Sequence, residues 1–143
     1  MNTSRSTVVL TVVVALFANA AADADAVVHV DRTPPVFAGL ASATTCIPGP
    51  VGGDRKSSFQ LKWTPAKDAI TPANRIVYDV YQAAALGKES FAAPTYTTRR
   101  GATTFATPPL SSTAPHYFVV RARDAAGNRD RNRRERQGMN LCV

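Results

Sequence analysis

The sequence predicts an all-β sandwich, and two features carry that expectation. Segment 59–64 alternates apolar and polar side chains with period two, and Ile76, Tyr78 and Val80, then Phe118, Val120 and Ala122, repeat that spacing in 76–81 and 118–123. A strand that buries one face needs this alternation. Proline and glycine recur between the segments and divide about 110 residues into seven short strands, which is the spacing of a sandwich. The chain has no internal repeat and no heptad.

The first residues are of another kind. Residues 1–6 are polar and carry Arg5, 7–18 read TVVLTVVVALFA, and Ala18-Asn19-Ala20 follows. A basic start, a short apolar run and an A-x-A site make a secretory signal peptide over 1–22, with cleavage near 20–22. The run is too short for an ordinary membrane span. No cysteine lies near the site, which argues against a lipid anchor. Residues 23–32 are small, acidic and unpatterned, and read as a flexible leader. Residues 33–143 then form one domain, exported to the periplasm, the cell surface or the medium. Without Arg5 the chain has sixteen Lys and Arg against ten Asp and Glu, a net +6. Its two cysteines, Cys46 and Cys142, predict a disulfide in an exported protein. A metal role is disfavoured, because no His or carboxylate cluster accompanies them at ligand spacing.

In chain order, Pro34-Pro35 fixes an extended entry, and 36–45 is the first strand, with Val36 and Leu40 as anchors. The segment 47–56, IPGPVGGDRK, is a loop by its Pro and Gly content. Phe59, Leu61 and Trp63 point one way and Gln60, Lys62 and Thr64 the other. Pro65 ends this strand, and Pro72 blocks helix after it. Ile76, Tyr78 and Val80 give a third strand. Gly87 disfavours a helix over 83–89. Segments 95–98 and 102–107 are Thr-rich and β-prone, and Leu110 turns back toward the core. Segments 116–123 and 134–143 are the last strands. Between 115 and 132, PHYFVVRARDAAGNRDRN joins a strand to its return, and Asp124 to Asn128 supply turn chemistry.

Thr33-Pro34-Pro35, Leu61-Lys62-Trp63, the 76–81 strand and the 118–128 segment stand in the order seen in fibronectin type III domains. The chain resembles the bacterial secreted branch of that family, in which a segment like VVRARDAAGN recurs. The resemblance covers about 33–143. It implies a seven-strand Greek-key immunoglobulin-like sandwich with Trp63 and Tyr78 as central aromatics, and a non-catalytic binding or adhesion role.

The family places a tyrosine six residues after a leucine, bonded back to the backbone. Here that position, counted from Leu110, is His116, and Tyr117 comes next. A one-residue slip to seat Tyr117 would turn Arg121 and Arg123 inward and Phe118 and Val120 outward. Burying unpaired arginines costs more than losing one tyrosine hydrogen bond. His116 is therefore expected at the corner and Tyr117 on the outer face.

No enzyme is expected. GxSxG, HExxH and P-loop patterns are absent, and the two histidines, His29 and His116, stand without partners in sequence. Asp124, Asn128 and Asp130 lack the spacing of a calcium loop and read as turn residues. No cofactor or metal is assigned. The charge is uneven: Arg121, Arg123, Arg129, Arg131, Arg133, Arg134 and Arg136 face only Asp124, Asp130 and Glu135 within 121–136, a net +4. Guanidinium groups take carboxylate, sulfate or phosphate through paired hydrogen bonds. These seven are the candidate binding residues, for an acidic polymer, and Arg99 and Arg100 extend the patch if their strand lies close. The bland alternative is a charged edge that discourages strand-on-strand aggregation. Tyr81, Tyr117 and Val119 are candidates for an apolar patch on the outer face. Three functions follow: a binding or adhesion module for protein or envelope polysaccharide, a polyanion-binding module using the hairpin, or a structural accessory domain.

Overall fold

Ten short strands make two four-stranded sheets and a two-stranded ribbon in the computed structural model, which describes residues 30–47 and 53–142. They are β1 (Ser42–Thr45), β2 (Lys56–Ser57), β3 (Gln60–Lys62), β4 (Val77–Ala83), β5 (Tyr96–Thr97), β6 (Thr104–Ala106), β7 (Leu110–Ser111), β8 (Tyr117–Arg123), β9 (Glu135–Gln137) and β10 (Met139–Asn140). One sheet has the order β10-β1-β3-β6 and the other β5-β4-β8-β9, while β2 pairs with β7. The only helical turn among the described residues is Ala73–Arg75, just after Pro72. Residues 1–22, expected to be a signal peptide, most of the expected leader and His29 lie outside the described residues. No helix among the described residues is long and apolar enough to cross a membrane.

The alternation read in the sequence builds the core. Phe59, Leu61, Trp63, Ile76, Tyr78, Val80, Phe118 and Val120 are buried in one cluster, with Phe105 and Leu110 half-buried against it. Trp63 and Tyr78 meet from opposite sheets, ring centroids 5.2 Å apart. Their polar ends are satisfied: Trp63 Nε1 donates to Ala102 O at 2.9 Å, and Ala66 N donates to the Tyr78 hydroxyl at 2.8 Å. Buried Tyr and Trp keep such partners because an unpaired polar atom is costly. Lys62, between Leu61 and Trp63, is exposed.

The register of β8 follows the cost of burying arginine. Phe118, Val120 and Ala122 face the core, and His116 is buried at the corner. His116 Nε2 donates to Ser111 O at 2.8 Å, and Gln82 Nε2 donates to Nδ1 at 3.2 Å. This pairing places the ring hydrogen on Nε2, and the imidazole sits edge-on to Phe59. Tyr117 is half-buried on the opposite face, level with Ala83 and Gln137.

One expectation fails, and one candidate surface is closed. Val36 is not a core anchor; it is 78% exposed, and only an isolated bridge to Lys67 remains of the early strand. Gly39 interrupts the segment at φ +82°, and a side chain there would meet Asn132 Oδ1 at 2.8 Å and Arg134 Cβ at 2.9 Å. The strand starts only at Ser42. The outer face of β4 and β8 is not an exposed patch either. Tyr81 and Val119 are each 1% exposed, because the 84–94 segment crosses that face and stacks Phe91 on Tyr81, centroids 5.0 Å apart.

The chain end changes sheets. After β9 pairs with β8, Gly138 lets the backbone pass over the Phe59 ring, where any side chain would clash. β10 then joins β1 in parallel, and Cys142 bonds Cys46 with Cα atoms 4.8 Å apart. The predicted disulfide thus closes a separation of 96 residues and staples the first strand to the last residues.

Candidate functional site

The seven candidate arginines do not form one free cationic surface. Their organising partner is Asp79, which nothing in its local sequence singles out. It lies on the outer face of β4, opposite Arg121 on β8, and is fully buried. Arg123 binds it through Nε at 2.9 Å and Nη2 at 3.1 Å, and Arg129 adds Nε at 2.8 Å. Thr97 Oγ1 donates to it at 3.0 Å from β5. Burial alone would raise the Asp79 carboxyl, but Arg123, Thr97 and Arg129 outweigh it and hold the group below its ordinary value. The pairing with Asp79 in turn raises Arg123 against the opposing effect of burial. A buried carboxylate with charged and neutral donors is satisfied; remove either side and a charge is stranded.

The other arginines are tethers or stacked. Arg121 Nε donates to Asn132 O at 3.0 Å, and its guanidinium lies 3.6 Å from the Phe91 centroid. Arg134 and Arg136 donate to Ala38 O and Ala41 O, both at 3.1 Å, and so bind the hairpin to the segment leading into β1. Arg133 stands 5.5 Å from the Phe91 ring. Arg131 is exposed. Arg99 and Arg100 follow β5, which is separated from β8 by β4, so they do not simply extend the row.

The loop acids have local duties. Asp124 accepts from Asn128 N and Nδ2, each at 2.8 Å, closing the DAAGN turn. Asp130 accepts from Ala122 N and from Asn132 N. A carboxylate cluster does form, and it shares only Asp124 with the calcium set weighed in the sequence: Asp31, Asp68 and Asp124 bring oxygens within 4.8 Å of one another. These are the described residues that could hold a hard cation, which takes oxygen ligands. The sequence hid them because they are far apart in it.

A separate feature lies at the disulfide pole. A groove of about 490 Å³ opens between the β2–β7 ribbon and the ends of β1, β9 and β10. Arg55, Ser112, Thr113 and Gln137 line it, with His116 and Phe59 from the core. The ribbon wall is held by Ser112 N donating to Arg55 O at 2.7 Å and Arg55 N donating to Ser112 Oγ at 3.0 Å. The far wall is held by Ile47 N donating to Asn140 Oδ1 at 3.0 Å, beside the disulfide. Its volume is that of a small-ligand site, and its wall carries hydroxyl, amide and guanidinium groups. Sequence reasoning missed it because its walls come from ends of the chain that only folding brings together. Compared with protein-family models, curated proteins and solved structures, the chain matches none.

Proposed function

We propose that this chain is an exported, non-catalytic binding module of the fibronectin type III kind, and that the groove at the disulfide pole takes a short stretch of envelope polysaccharide. The observation that carries the reading is the groove itself: about 490 Å³, walled by Arg55, Ser112, Thr113 and Gln137, with a covalent staple beside its far wall. Hydroxyl and amide groups exchange hydrogen bonds with sugar hydroxyls, and a guanidinium suits an acidic sugar. The staple fixes the walls before binding, which lowers the cost of ordering them. The disulfide also fits export to an oxidising compartment. The two sheet orders, with β1 between β3 and the final β10, support the Greek-key reading.

The test is retention on immobilised envelope polysaccharide from a bacterial cell wall. Arg55→Ser with Gln137→Ala should weaken retention of the folded protein by at least about tenfold, or ~1.4 kcal/mol. A variant carrying Arg131→Ser and Arg133→Ser should bind as the native protein does. The reverse pattern, with steep loss of binding in salt, would move the site to the hairpin and its acidic-polymer ligand.

A further inference from the structure

The 84–94 segment is a strap across the outer face of β4 and β8. Gly87 N donates to Glu135 Oε2 at 2.7 Å, and Phe91 lies on Tyr81 under the Arg121 guanidinium. Between strap and sheet is a cavity of about 210 Å³, lined by Leu86, Glu89 and Phe91 on one side and Val119, Arg133 and Glu135 on the other. Glu89 Oε1 is closed off from solvent and accepts no hydrogen bond from any donor. The Glu135 carboxyl lines the same cavity and lies within hydrogen-bond reach of the Glu89 carboxyl. Two carboxylates cannot hydrogen-bond without a proton between them, and two ionised ones repel.

We propose that the strap is a pH-responsive clasp: one proton shared between Glu89 and Glu135 holds it closed, and loss of that proton to solvent loosens it from Tyr81 and Val119. Burial raises the Glu89 carboxyl, and the Glu135 carboxyl raises it further. The sign follows from that direction. A group whose folded value is raised contributes its stabilisation below the unfolded value and loses it as pH rises through the folded one. The clasp is therefore closed in acid and weakened as pH rises.

The surrounding charges moderate the effect without removing it. Arg133 lines the same cavity, Arg121 stands on Phe91 from β8, and Lys88 is exposed on the strap itself. The ion pairs formed among the described residues are those of Asp79, and none reaches Glu89 or Glu135. Asp79 is already engaged by Arg123 and Arg129. Tyr81 is raised by burial and then by Asp79, so its hydroxyl stays neutral throughout.

Hydrogen exchange read by mass spectrometry tests the clasp on the native chain. After correction for intrinsic rates, protection across 84–92 should fall at least about threefold between about pH 5 and pH 8. Protection of β8 should hold at both. Glu89→Gln, which supplies an amide donor to Glu135, should keep the strap protected at both pH values, and Glu135→Gln should do the same. Equal native protection at the two pH values would overturn the proposal. So would a Glu89→Gln strap that still loosens with pH, or strap exchange that only tracks β8.

Discussion

The arginine hairpin and the groove at the disulfide pole make opposite impressions in sequence and in space. The hairpin gathers seven arginines in sixteen residues and looks like a surface made for anions. In the fold, Arg123 and Arg129 close on Asp79, Arg121, Arg134 and Arg136 donate to backbone carbonyls, and Arg121 and Arg133 stand over Phe91. The groove residues are scattered Ser, Thr, Gln and Arg with no pattern. Charge density along a chain thus does not measure charge available to a ligand. A guanidinium is as well suited to buried carboxylates and open carbonyls of its own protein as to a partner.

The comparison can be broken at either end. The largest effect should come from the groove side. Replacing both Cys46 and Cys142 by Ser opens a closed loop of 96 residues and should cost up to about 4–5 kcal/mol in the chain-entropy model. Urea melts measure it, and a loss of polysaccharide retention beyond the loss of folded protein would show that the staple shapes the groove. On the hairpin side, Asp79→Ala strands two guanidinium groups. Because Arg129 still reaches water, the cost should be about 3 kcal/mol, the low end for breaking a buried pair. A cost under about 1 kcal/mol would mean that the arginines are not held by Asp79.

A smaller effect is a pH dependence. Asp79 has a folded value lowered from its ordinary 3.8. Its stabilisation is thus present above the unfolded value and is lost as pH falls through the folded one. Acid titration of the melting temperature should show a fall below about pH 4 that is shallower in Asp79→Asn. The smallest effect belongs to Arg131, exposed beyond the network. Arg131→Ser should change stability by less than about 0.5 kcal/mol, as should Lys62→Ala on the outer face of β3.

Much of the fold was legible. Period-two alternation located the strands around Trp63, Tyr78 and Phe118, and the cost of burying Arg121 and Arg123 set the β8 register and put His116 at the corner. What was not legible depends on contacts that have no local signature. Val36 followed the apolar pattern, but Gly39 had to bend to let Asn132 and Arg134 approach from almost a hundred residues away. Tyr81 and Val119 alternated outward and were still buried, because the unpatterned 84–94 segment lies across them. Asp79 sat in an apolar strand as one acid among ten, and only pairing of β4 with β8 reveals what it binds.

A double-mutant cycle between Asp79 and Arg123 tests most directly whether the hairpin arginines belong to the fold. Stabilities of the native protein, Asp79→Ala, Arg123→Ala and the double variant would be taken from urea melts. The two contacts at 2.9 and 3.1 Å onto a fully buried carboxylate predict a coupling of at least about 1.5 kcal/mol, as for hydrogen bonds to charged groups. Additivity within about 0.5 kcal/mol would contradict it and return those arginines to the surface as free cations.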